Sequence, residues 1–285
     1  MIGPDRLERV TAGAVVPEQV VAYVQAVTGA APALFGSCVG YRGGEGVVLV
    51  GYPLEDPRDE GGMSRAVEQA LSSPGVARIT VLGPARPRQA PPSAQSRGDA
   101  YLALPLPAPP RGAKLRNLLR RAARELYREE GGSFGREHEE LVGRYLRERE
   151  FAAGTRLIFE RIPQVLAACA EARLFSVRLP DGRLVAFAVG EFSALTTAFF
   201  LFCFRDPDLA PPGSADFALA GLVAEAERRG HARVNLGLAV NEGVSFFKRK
   251  WGALPFLPCV ETSWVPGPQR SGLARLLRER LGGRR

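Results

Sequence analysis

Residues 173–264 contain a succession of apolar segments and helices that restricts the possible fold more than any other part of the chain. The first two apolar segments, Leu174–Leu179 and Leu184–Phe192, flank an Asp181-Gly182 turn, which is typical of a β-hairpin. A third apolar strand, two helices and two further strands follow over Leu195–Phe204, Ala215–Arg229, Ala232–Leu236, Asn241–Trp251 and Pro255–Trp264. The order β-β-β-α-β-α-β predicts a mixed sheet covered by helices, in the α/β or α+β class.

The first 110 residues repeat part of this order with weaker signals. Ala33–Tyr41 and Gly46–Tyr52 predict a hairpin, Met63–Ser72 an amphipathic helix and Ala77–Leu82 a strand. We expect Tyr101–Leu106 to be one more strand, at the edge of its sheet or leaving it, because prolines follow it.

Three predicted helices between residues 111 and 172 connect the two halves, and Pro163 should kink or restart the third. We therefore predict four segments: a degenerate N-terminal unit over 1–110, connecting helices over 111–172, a C-terminal unit over 173–268 and a basic helix over 269–285.

Composition excludes several classes of protein. The chain has 285 residues, of which 46% are hydrophobic, but no apolar run reaches 18 residues. The N-terminus has no basic-then-apolar leader, so we expect a cytoplasmic protein without stable membrane insertion. Four cysteines without a C-x-x-C pair and only two histidines predict no metal site.

The net charge of +8 is concentrated after residue 110. Six cations and no acid lie between Arg111 and Arg124, in a predicted helix that includes Arg116 and Arg120. These arginines either form a solvated helix face or border a binding site for an anionic ligand. A basic surface would attract phosphate groups, RNA, anionic lipid or an acidic metabolite.

The stretch from Asn235 to Ala253 carries the most specific residues. It reads N-L-G, then N-E-G-V-S-F-F-K-R-K-W-G-A, and it places Lys248 and Trp251 beside a loop that an anionic ligand could reach. Asn235 and Asn241 are either polar groups of a site or turn and cap residues, and the N-cap position suits Asn241 best.

This stretch and the element order resemble the GNAT acyltransferase fold, in the FemAB-like branch that joins two such units. The resemblance implies that the turn between the fourth strand of the fold and the helix after it binds acyl-CoA pyrophosphate, here through Gly213 and Ser214. That loop has one glycine and two prolines, which departs from the usual pyrophosphate pattern. Lys248 stands where many GNAT enzymes have a tyrosine that protonates the leaving group, and it could donate that proton or be a solvated helix lysine.

The resemblance also implies a base on a central strand, for which Glu191 is the candidate, although a solvent-facing strand-end glutamate is the alternative. We expect an acyltransferase that moves an acyl or aminoacyl group from acyl-CoA, as a possible donor, or from aminoacyl-tRNA. The expected acceptor is an amine of a small molecule or peptide, and tRNA is a possible partner. The alternative is a non-catalytic binding module for an anionic RNA, lipid or protein.

Overall fold

A computed structural model describes residues 3–266 of the chain, which form one mixed sheet with helices on both faces. The strands are β1 Ala31–Phe35, β2 Cys38–Gly43, β3 Gly46–Val50, β4 Arg78–Gly83, β5 Gln95–Pro105, β6 Tyr127–Glu130, β7 Arg173–Arg178, β8 Leu184–Glu191, β9 Thr197–Arg205, β10 Arg233–Leu238 and β11 Leu254–Trp264. The helices are α1 Pro4–Ala12, α2 Val21–Thr28, α3 Glu60–Leu71, α4 Ala113–Glu125, α5 Arg136–Arg147, α6 Ala153–Glu160, α7 Ile162–Ala168, α8 Ser214–Arg228 and α9 Glu242–Arg249, with a 3₁₀ turn at Pro17–Gln19. This architecture confirms the predicted mixed α/β class.

Local sequence signals explain the best-predicted elements. Gly182 adopts φ 89° in the turn between β7 and β8, and the Asp181 carboxylate accepts a hydrogen bond from the Arg183 amide at 3.1 Å. The predicted third connecting helix is broken at Arg161, so that Pro163 lies in the first turn of α7, where its missing N–H is harmless.

The order of the strands in the sheet is β1-β2-β3-β4-β11-β5-β10-β9-β8-β7-β6. Strand β11, which ends the described chain, pairs with β4 and β5 and not with β10. Strand β5 pairs with β10, so each half of the chain contributes one strand beside the other half. We call this arrangement the strand exchange.

The strand exchange corrects two expectations. Tyr101–Leu106 was expected at an edge, but β5 lies near the middle of the sheet, between β11 and β10. Its prolines are tolerated because Pro105 is its last residue and Pro107 follows it. Pro255–Trp264 was expected to complete the C-terminal sheet, yet Trp264 packs in the core that α3 covers.

The two faces of the sheet are covered by different helices. Helix α8 packs against β7, β8 and β9 and shares its core with α4 and α9, whereas α2, α5 and α7 contribute to the core on residues such as Phe187 and Val189. Between residues 3 and 266, no helix combines the length and hydrophobicity needed to cross a bilayer. The helix predicted over 269–285 lies outside the described residues.

Candidate functional site

Lys248 is a buried lysine on α9. Its side chain is only 5% exposed, so it is not the solvated helix lysine that the sequence left as an alternative. Its Nζ donates a hydrogen bond to the Leu238 carbonyl oxygen at the end of β10. Burial lowers the pKa of Lys248 to about 8, and the opposing effect of the Asp99 carboxylate is smaller.

Helix α9 begins at a side-chain cap, which fixes the direction of Lys248. The Asn241 carboxamide oxygen accepts a hydrogen bond from the Val244 amide at 3.0 Å, so the expectation that Asn241 is an N-cap is confirmed. The Ser245 hydroxyl donates to the Ala239 carbonyl at 3.1 Å, and the Phe247 ring stacks on Phe200 with 6.3 Å between centroids. These contacts pack one face of α9 against β9 and the end of β10.

A turn at residues 238–240 follows the Leu238 carbonyl that Lys248 contacts. Asp99 of β5 holds this turn, because its carboxylate accepts hydrogen bonds from the Ala239 amide at 3.2 Å and the Val240 amide at 3.1 Å. Val240 has φ 59°, a conformation that a β-branched residue rarely adopts. The amide contacts to Asp99 stabilise this strained residue.

An open groove of about 640 Å³ is lined by this turn and by one side of α9. Its lining combines cations, carboxylates and an aromatic ring that is 70% exposed, from Arg97, Gly98, Asp99, Ala239, Val240, Asn241, Glu242, Ser245, Phe246 and Arg249. The groove can therefore hold a ligand that carries both a negative and a positive group.

Trp251 does not line this groove. It is 2% exposed, and its indole Nε1 donates to the Asp216 carboxylate at 2.8 Å, while Lys250 forms an ion pair with the same carboxylate. The Arg111 guanidinium covers the Trp251 ring at 4.9 Å. Trp251 thus joins α9 to the first turn of α8.

The loop before α8 is occupied by contacts within the protein. The Ser214 hydroxyl donates to the Pro211 carbonyl at 2.7 Å, and Ser214 is 1% exposed. Gly213 has φ 93°, and a Cβ atom there would lie 2.9 Å from the Leu118 side chain of α4. Helix α4 therefore covers the place where the resemblance implied a pyrophosphate.

Asn235 and Glu191 lie on either side of β9, because each of them is in register with Phe199. Their backbones are thus about 10 Å apart. The Asn235 side chain donates to the Val15 carbonyl at 2.8 Å and accepts from the Gly237 amide at 2.8 Å, so both ends of its carboxamide are used.

Glu191 is 1% exposed, which rules out a solvent-facing glutamate. One carboxylate oxygen accepts from the Ser193 amide at 3.0 Å, and the other has no hydrogen-bond partner within residues 3–266. Burial raises the pKa of Glu191. Since β9 separates β8 from β10, the structure does not bring Glu191 to Lys248; the acidic neighbour of Lys248 is Asp99.

Arg116 and Arg120 lie on the exposed side of α4 together with Arg124. They are spaced four residues apart, so they share one helix face. Arg116 donates to the Arg111 carbonyl, and Arg120 has no ion pair in the described part of the chain. This face is separate from the groove residues and offers positive charge to a large anionic partner.

Asp99 is the residue that sequence reasoning missed. A single acid directly before an apolar run was a weak signal, and the predicted strand began only at Tyr101. Its place beside Lys248 follows from the strand exchange, which no local pattern indicates.

No protein-family model and no curated protein matches this sequence. Among solved structures, a domain described as the C-terminal domain of a lysylphosphatidylglycerol synthetase from Agrobacterium fabrum is similar, with 19% identity, a TM-score of 0.59 and coverage of 99% of this chain and 98% of that domain. FemX is similar at 10% identity and a TM-score of 0.62, with 99% of both chains covered. A tandem GNAT protein from the clavulanic acid biosynthesis pathway has 12% identity and a TM-score of 0.51, with 93% and 94% covered.

These similarities extend over nearly the whole chain and include both halves of the sheet. They confirm the fold that the FKRKWG segment led us to expect. The chain has a GNAT-like fold with two units, in an arrangement shared with FemX and with the lysylphosphatidylglycerol synthetase domain.

Proposed function

We propose that this protein is an aminoacyltransferase whose donor is an aminoacyl-tRNA and whose acceptor is an amine. The observation that carries the proposal is the buried Lys248 amine beside the groove. One of its three N–H groups goes to Leu238, and the other two have no acceptor within residues 3–266. FemX and a lysylphosphatidylglycerol synthetase domain have the same fold, which supports aminoacyl transfer.

The charges in the groove suit an aminoacyl ester. The Asp99 and Glu242 carboxylates can face the donor's α-ammonium group, while Arg97 and Arg249 can contact phosphates of the tRNA end. Two features favour tRNA over acyl-CoA: Leu118 covers the loop at Gly213, and the α4 arginines offer a separate contact for a polyanion.

In the proposed reaction the acceptor amine attacks the ester carbonyl, forming a C–N bond and a tetrahedral oxyanion. Collapse of this intermediate breaks the bond to the ribose oxygen. Lys248, which is mostly ammonium at pH 7 with a pKa of about 8, stabilises the developing negative charge and gives a proton to the leaving oxygen. The proton that the attacking amine loses restores the ammonium.

The matched test compares Lys248→Met with Lys250→Met, two substitutions on the same helix. Transfer from radiolabelled aminoacyl-tRNA to a mixture of amine acceptors is measured, with each variant kept below its melting temperature. We expect Lys248→Met to lower the rate at least 100-fold while the protein stays folded. Lys250→Met leaves Asp216 without its ion pair, so it should lower stability and retain activity.

Equal rates for wild type and Lys248→Met would refute the catalytic role of the lysine. The alternative function, a non-catalytic module for an anionic partner, is favoured by the exposed cations of α4. It predicts tRNA binding without deacylation above the uncatalysed rate in any of the three proteins.

A further inference from the structure

A second cavity of about 220 Å³ lies in the N-terminal half, on the face of β3 and β4 that α2 partly covers. Its walls are mostly apolar, and the lining consists of Glu18, Val24, Thr28, Ala30, Tyr41, Gly43, Gly46, Val47, Val48, Val50, Arg78, Thr80 and Leu82. It shares no lining residue with the groove beside Lys248.

Glu18 is a fixed carboxylate at one end of this cavity. One of its carboxylate oxygens accepts a hydrogen bond from the Tyr101 hydroxyl at 2.8 Å, and its main-chain carbonyl accepts from the Tyr41 hydroxyl at 2.8 Å. The 3₁₀ turn that carries Glu18 is itself held by Gln19, whose side chain donates to the Tyr52 carbonyl at 2.8 Å. The carboxylate is therefore positioned before any ligand arrives.

No cation of residues 3–266 forms an ion pair with Glu18, although the residue is half-buried. Burial raises the pKa of Glu18, which is the response of a carboxylate that has lost water without gaining a positive partner. A half-buried carboxylate without a cationic partner favours a ligand that supplies one.

Arg78 supplies the opposite charge at the other end. Strand β4 lines the cavity with Arg78, Thr80 and Leu82, which lie on one face over about 13 Å of strand. Tyr101 pairs with Leu257 of β11, three residues beyond the Val260 that pairs with Gly83, so Glu18 lies at the Leu82 end. The Arg78 side chain is exposed and has no hydrogen bond or ion pair in the described chain.

We infer that this cavity binds a linear aliphatic ω-amino acid, with its ammonium group on Glu18, its methylene chain against the valines and its carboxylate on Arg78. The separation of the two charges favours a chain of six to eight carbons over a shorter one. This site is independent of the proposed aminoacyl transfer, because no residue of the Lys248 groove takes part.

The test measures binding by isothermal titration calorimetry on the full-length protein, without any aminoacyl donor. The probes are 4-aminobutanoate, 6-aminohexanoate and 8-aminooctanoate, with hexylamine and hexanoate as analogues that have one charge each. We expect 6-aminohexanoate or 8-aminooctanoate to bind at least tenfold more tightly than 4-aminobutanoate and than either singly charged analogue.

Two substitutions test the contributions of the two ends of the site separately. Glu18→Gln should weaken 6-aminohexanoate and hexylamine at least tenfold and leave hexanoate unchanged, whereas Arg78→Met should weaken 6-aminohexanoate and hexanoate and leave hexylamine unchanged. Arg65→Met, an exposed cation of α3, serves as the control and should change nothing. Arg78 is exposed, so its variant folds even where Glu18→Gln lowers stability.

Affinity that does not depend on chain length, or that both substitutions leave unchanged, would overturn the inference. Lys248→Met should bind 6-aminohexanoate as wild type does. The outcome of the binding experiment therefore does not depend on the outcome of the transfer assay.

Discussion

At the residue scale, the main conclusion concerns a lysine that the sequence located but whose surroundings it could not describe. The motif placed Lys248 on a helix next to a glycine break, and the structure confirms that helix. Whether its amine met solvent or protein depended on long-range packing, because the Leu238 carbonyl that it contacts precedes a turn whose amides bind Asp99 of β5. Glu191 was chosen from its strand alone, and alternation along one strand cannot tell which helix covers its face.

The pKa of Lys248 gives a prediction about stability. The folded protein holds this pKa at about 8, below the ordinary 10.5, so the unfolded chain binds more protons between these values. The free energy of unfolding should therefore rise with pH through this window, by up to ~3 kcal/mol from this residue alone. Urea unfolding of wild type and Lys248→Met across pH 7–10.5 measures the difference.

The comparison between the two proteins matters because other groups also titrate. Burial raises the pKa of Tyr41, Tyr52 and Tyr101, so the folded state loses stability above about pH 10 as the unfolded tyrosines ionise first. Both proteins share that loss. Parallel curves for the two proteins would mean that folding does not lower the pKa of Lys248.

At the element scale, the strand exchange decides how the two halves depend on each other. Local patterns predicted most helices and the β7–β8 hairpin, because turn residues and periodicity act over short distances. They could not predict which strands become neighbours, since β11 and β4 are about 180 residues apart in sequence and either placement buries their apolar faces.

The exchange predicts that Trp264→Ala destabilises the N-terminal half although the residue follows the C-terminal elements. Trp264 packs in one core with Met63, Val67 and Ile79, so its loss should cost about 3–5 kcal/mol. In hydrogen exchange, β3 and β4 should lose protection before β7 and β8 do.

Phe175→Ala is the matched control, because Phe175 is buried in the core beneath α8. It should have the reverse effect, with β7 and β8 losing protection first. If Trp264→Ala exposed β8 and β9 first, β11 would have to lie beside the C-terminal strands.

At the scale of the whole molecule, the charge is divided between a small mixed-charge groove and a larger cationic helix face. The basic helix was predicted correctly, since that prediction depends only on local composition. It could not predict that Leu118 of the same helix closes the loop at Gly213, which is a long-range contact.

Together with the proposed tRNA donor, this division predicts how tRNA binding would depend on salt. Replacing Arg116, Arg120 and Arg124 together by Gln removes up to three phosphate contacts, so the slope of log affinity against log salt should fall by about 2–3. Fluorescence anisotropy with labelled tRNA measures that slope. Replacing the exposed Arg6, Arg9 and Arg65 should leave it unchanged, and an equal decrease in both triple variants would show that only net charge matters.

The place of β11 also bears on how the chain is made. While the protein is still on the ribosome, β4 and β5 have emerged but the strand that belongs between them has not been released from the exit tunnel. The N-terminal half therefore waits with two unpaired strand edges until the last described residues are synthesised, and β5 meanwhile has β10 as its earliest available partner. Residues 254–264 must therefore enter a gap between two segments made long before, after β5 has been able to pair with β10 and bring Asp99 to the turn at residues 238–240.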